Sequence, residues 1–112
     1  KWDARSLGYV VDRLEDCDSS TQTWVLAGMT TIPSLAYIPK LRSTSASEDA
    51  IVRRWSASLA IKIAALLKEP CAEADELSAI VEAWIATETD AETRRSLSRT
   101  LERLAALRKT MA

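Results

Sequence analysis

An all-α fold is what this sequence predicts, on three observations. Apolar residues recur three and four positions apart through six segments, which is the spacing of one helix face. No segment alternates apolar and polar residues as a half-buried strand would. Two glycines and three prolines among 112 residues leave few turn formers for a β architecture. With 47% hydrophobic residues, one domain of this length can bury a core without disulfides or metal.

The first helix is expected over 4–14, with Leu7, Val10, Val11 and Leu14 in register. Asp16, Cys17 and Asp18 break it, and Ser19 with Gln22 resembles a capping box opening helix two. Helix two runs to about Thr31 and buries Trp24, Val25, Leu26, Met29 and Ile32. Helix three, 34–42, follows Pro33 and carries Pro39, which should kink or shorten it because proline has no N–H to donate. The stretch 43–47 is the loosest of the chain. Ser45 with Glu48 offers a second capping box before the central helix, 51–67, which ends ahead of Pro70.

That central helix organises the chain. Val52, Trp55, Leu59, Ile63, Leu66 and Leu67 form an apolar seam, and Ile51, Ala57, Ala60, Ile61, Ala64 and Ala65 carry it most of the way round. A helix of this kind needs cover on several sides. Helix five, 72–87, turns Leu77, Ile80, Val81, Trp84 and Ile85 inward. Thr89 and Glu92 make a third capping box before helix six, 91–111, which buries Leu97, Leu101, Leu104 and Leu107. Trp24, Trp55 and Trp84 are read as core, while Trp2 lies in polar surroundings near the chain end.

Three even-numbered helices open with one construction, an acidic or hydroxyl residue followed by Asp and then by a basic or amide residue. It appears as Asp16, Asp18, Gln22, as Ser47, Asp49, Arg53 and as Glu88, Asp90, Arg94. An Asp beside a helix start accepts unpaired backbone N–H groups and suits the positive end of the dipole. An Arg one turn on can reach an acid of the neighbouring unit, so Arg53 is expected to bridge to Asp18 or Asp90, and Arg94 to Asp49.

With Asp49, Val52, Arg53, Ala57 and Leu59 in the middle unit, the chain resembles the HEAT-repeat family over nearly its whole length. The third unit keeps Glu88, Asp90, Arg94 and Leu101, and the first has Gln22 where the family has Arg. The resemblance implies a right-handed α-solenoid of three helical pairs, with repeats at about 4–32, 33–69 and 72–111. It implies an inter-repeat ladder from Asp18, Asp49, Arg53, Asp90 and Arg94, and a scaffold or protein-interaction role without catalysis.

Composition narrows the chemistry. The chain has no histidine, which removes the commonest general base and zinc ligand and argues against the HEAT-like metalloenzymes. Gly8 and Gly28 fall inside helical patterns and form no phosphate loop. No catalytic residue, metal or cofactor is expected. Cys17 and Cys71 are read as reduced thiols of a cytoplasmic protein. No apolar run reaches membrane-spanning length. A start at Lys1, not Met, suggests a piece of a longer chain.

A net charge of −1 gives no global attraction to nucleic acid, yet helix six is locally basic. Arg54, Arg95, Arg99 and Arg103 are the candidate binding residues, on a groove lined by helices two, four and six. The competing reading is a solvated face, since Glu92 and Glu102 lie within helical reach of Arg95, Arg99 and Arg103. A protein partner or the parent chain is the expected ligand. The alternatives are nucleic acid held by the last helix and a structural segment of a larger enzyme or assembly.

Overall fold

A computed structural model describes residues 3–109; Trp2 and Met111 lie outside them. The described residues form six α-helices, α1 (Ala4–Val11), α2 (Ser19–Thr31), α3 (Lys40–Thr44), α4 (Ala50–Leu66), α5 (Ala72–Ile85) and α6 (Ala91–Lys109). Two single turns of 3-10 helix, Leu14–Asp16 and Leu35–Tyr37, complete them, and none of the described residues is in a strand.

Aspartate starts most of these helices. Asp3 Oδ1 accepts from Ser6 N at 2.8 Å, Asp18 Oδ1 from Thr21 N at 2.8 Å and Asp49 Oδ1 from Ile51 N at 2.9 Å. Asp90, directly before α6, accepts from Thr93 N at 3.0 Å and Thr93 Oγ1 at 2.8 Å. The hydroxyl capping boxes expected from Ser19, Ser45 and Thr89 are therefore displaced. A carboxylate is the stronger acceptor and also meets the helix dipole. Gln22 turns back instead, its Nε2 donating to Leu14 O at 3.0 Å.

Two boundaries differ from expectation. The first helix stops at Val11, and Leu14 enters the core from its own 3-10 turn. Pro39 divides the third helix. The bonds on either side of it, Ile38 N to Leu35 O and Leu41 N to Ile38 O, span three residues, leaving a 3-10 turn and a five-residue α3. The stretch 43–47 is tied down, with Thr44 buried and the Ser47 carbonyl accepting from Arg53.

Helix α4 lies between α2 and α6, while α1 packs on α2, α3 on α4 and α5 on α6. The shortest dimension of the molecule is 19 Å against 43 and 32 Å, which is about two helix diameters. Two layers explain why α4 is covered on one side only. Val52, Leu59 and Ile63 are fully buried with Ala57, Ala60 and Ala64, whose small side chains permit close approach of the neighbours. Ser56 turns inward as well and satisfies its hydroxyl on Val52 O at 2.8 Å.

The other side of α4 faces outward, contrary to the nearly all-round cover expected. Ile51 is 47% exposed, Leu66 41% and Trp55 36%, although Trp55 and Leu66 belong to the seam read as buried. Trp24 of α2 is also outside, at 72%. Of the three tryptophans read as core, only Trp84 is buried. Leu59→Ala should lower stability by about 2–5 kcal/mol, and Trp24→Ala should change it by less than about 0.5 kcal/mol. Chemical denaturation of the two variants checks the inside and the outside of the array together.

Candidate interaction surface

Adjacent positions on a helix point about 100° apart, so Arg53 and Arg54 at the start of α4 serve different surfaces. Arg53 turns inward. Its Nε donates to both oxygens of Glu88, at 2.9 and 3.2 Å, and its Nη1 to Ser47 O at 2.9 Å. The Glu88 side chain has no exposed surface. It also accepts from Trp84 Nε1 at 2.9 Å and from the backbone N–H groups of Thr89 and Asp90 at 3.1 and 3.0 Å. Burial alone would raise the Glu88 pKa; the Asp90 N–H, the Trp84 indole and Arg53 outweigh it and hold the carboxyl below its ordinary range.

Arg54 lies further out and pairs with Asp90 through two hydrogen bonds, Nε to Oδ2 at 3.1 Å and Nη2 to Oδ1 at 2.9 Å. Its Nη1 is 3.5 Å from Glu92. Arg54 first, then Thr93, holds the Asp90 carboxyl far below the usual carboxylate range. Arg94 donates to Ile85 O at 2.7 Å and Glu88 O at 2.9 Å, tying the end of α5 to the start of α6.

These contacts redraw the expected ladder. Arg53 meets Glu88, not Asp18 or Asp90, and Arg94 meets backbone carbonyls, not Asp49. Asp18 and Asp49 cap their helices and form no ion pair among the described residues. Glu88 was legible in one respect: it continues the inward stripe Leu77, Val81, Trp84 by one more helical step, as an acid bound for a buried position.

The four candidate binding arginines separate in the same way. Arg54 is engaged by Asp90 and Glu92. Arg103 lies over the end of α4, with Nη2 3.2 Å from Leu67 O and Nε 3.5 Å from Ala64 O, where a cation suits the negative end of the helix. Arg95 and Arg99 are exposed, and their side chains make no hydrogen bond or ion pair with another described residue. The wet-face pairing is not formed: Glu92 is turned toward Arg54, and Glu102 makes no ion pair among the described residues.

A groove follows the seam of α4 and α6. Ile51, Arg54, Trp55, Ser58 and Glu92 line a cleft of about 280 Å³ at one end. Further along both helices, Ile61, Ala64, Ala65, Lys68, Arg99, Thr100 and Arg103 line another of about 320 Å³. Among the described residues no group of three Cys, Asp or Glu stands close enough to hold a metal ion, and no helix is long and apolar enough to cross a membrane. Among the described residues every buried side-chain nitrogen and oxygen has a hydrogen-bond partner. Comparison with family models, curated proteins and solved structures gives no match to this chain.

Removing the Glu88 carboxylate strands Arg53, the Trp84 indole and two backbone N–H groups. Glu88→Ala should therefore cost about 3 kcal/mol, whereas Glu15→Ala, at the more exposed pair with Lys40, should cost under about 1 kcal/mol. The sign with pH follows from the lowered Glu88 pKa. Its contribution is complete above the ordinary value of 4.5 and is lost as pH falls through the lower folded value. Urea titrations across that range should show stability falling as pH drops, with a shallower fall in Glu88→Gln.

Proposed function

We propose that this chain is a non-catalytic protein-interaction module, a right-handed α-solenoid of three HEAT-like helical pairs acting in the cytoplasm. The pairing of α1 with α2, α3 with α4 and α5 with α6, and the row α2, α4, α6, support the repeat reading. One observation carries the functional reading. The central helix, the element best placed to be covered, leaves Ile51, Trp55 and Leu66 in solvent, and Ile51 and Trp55 share a cleft with Arg54 and Glu92. Large apolar side chains grouped beside polar ones on an exposed surface mark contact sites more often than chance.

Nucleic acid is the second reading, favoured by Arg95 and Arg99, which no described acid neutralises. Salt separates the two. Phosphate contacts make log affinity fall linearly with log salt, by about 0.7–0.9 per contact, whereas an apolar contact is nearly indifferent. A third reading, a helical segment packed within its own larger assembly, draws on the exposure of Trp24.

The test uses the chain as bait in nuclease-treated lysate, beside the double variant Trp55→Ala, Arg99→Glu. Arg54 is avoided, since reversing it breaks the pair with Asp90 and confounds binding with stability. Wild-type bait should retain a defined protein set that the variant loses at unchanged melting temperature. Equal retention by both baits contradicts the proposal, and so does retention that depends on intact nucleic acid.

A further inference from the structure

The two ends of the α4–α6 groove differ in charge balance. At the Ile51 end, Arg54 is met by Asp90 and Glu92, so the cation there is neutralised within the fold. At the other end, Lys68, Arg99 and Arg103 line the cleft and no acid does. Lys68 and Arg103 do rest on the carbonyls at the end of α4, Lys68 on Ala65 O at 3.3 Å. A helix end carries only about half a unit of negative charge, too little to balance three cations. On the α4 wall, Ile51 and Trp55 stand with Ser58 in the first cleft and Ile61 and Ala65 in the second. The surface is therefore an apolar wall interrupted at Ser58, with a positive terminus.

We infer that this groove receives an acidic amphipathic helix of a partner protein, with its apolar stripe along Trp55, Ile61 and Ala65 and its carboxylates clustered at the Lys68, Arg99 and Arg103 end. The inference rests on the interaction-module reading and gives the partner its chemistry. Helices are commonly received by apolar seams between two others, through anchors at i, i+3, i+4 and i+7. A polynucleotide is the poorer occupant. Its backbone would use the three cations but not the apolar wall, and it would meet Glu92 at the far end and a net charge of −1 overall.

A displayed library of helical peptides about 16 residues long is panned against the full chain, and enriched peptides are mapped by amide chemical-shift changes. The expected binders carry Asp or Glu clustered at one end, shift Ile61, Ala65 and Arg99, and lose at least about tenfold in affinity to Arg99→Glu. Arg108→Glu, on α6 beside Asp75 and away from the groove, should bind them as wild type does. Neutral or basic binders, or acidic binders that map elsewhere, overturn the inference while leaving an interaction module standing. Failure to enrich any peptide overturns the inference and leaves the interaction module to be decided by the lysate capture. A single-stranded oligonucleotide that shifts the same amides more than the peptides do overturns the inference in favour of phosphate.

Discussion

The buried carboxylate of Glu88 is the constraint on which the second half of the molecule depends. An ionised group without exposed surface is tolerable only when donors replace its water, and Glu88 has four: Arg53 Nε, Trp84 Nε1 and the backbone N–H groups of Thr89 and Asp90. These donors come from α4, from α5 and from the turn before α6, so satisfying one charge fixes three elements relative to each other. Asp90, aligned by the same turn, then both caps α6 and receives Arg54. The spacing of α4 and α6, and so the groove between them, follows from this turn.

Sequestering polar groups at one edge of α4 leaves its outer face free of structural duty. Helices α2, α3 and α6 cover the side that carries Leu59 and Ile63, and a layer about two helices thick has nothing to place on the other. Ile51, Trp55 and Leu66 are not failures of burial in this arrangement. They are the apolar residues that no packing argument requires, as Arg99, on the cleft with Ile61 and Ala65, is a cation that no ion-pair argument requires. Residues without a structural explanation are where a binding function is best sought.

Much of this was legible in the sequence, and the divergences have physical causes. The six helices followed from a 3.6-residue period, which reports on burial by one face and survives errors in detail. The burial of Leu7, Leu26, Met29, Leu77 and Leu97 followed with them. Trp24 and Trp55 were misplaced because periodicity identifies an apolar residue on a helix but not whether a second layer exists to cover it. The caps were displaced, by one position at Asp18 and Asp90 and by four at Asp49, because each Asp stands near the hydroxyl residue of an equally plausible capping box. The ladder was misassigned because partner choice depends on rotation about α4: Arg53 and Arg54 are neighbours in sequence and serve a buried acid and a surface acid respectively. Chain order alone does not encode that difference.

Hydroxyl-radical footprinting of the tryptophans, resolved by mass spectrometry, addresses the inward and outward assignment of α4 and α5 most directly. Trp24 and Trp55 should be oxidised at rates typical of surface indoles, while Trp84, donating to Glu88, should remain protected until the fold is lost. Protection of Trp55 in the free monomer together with ready oxidation of Trp84 would mean that the groove and the buried carboxylate are both misplaced.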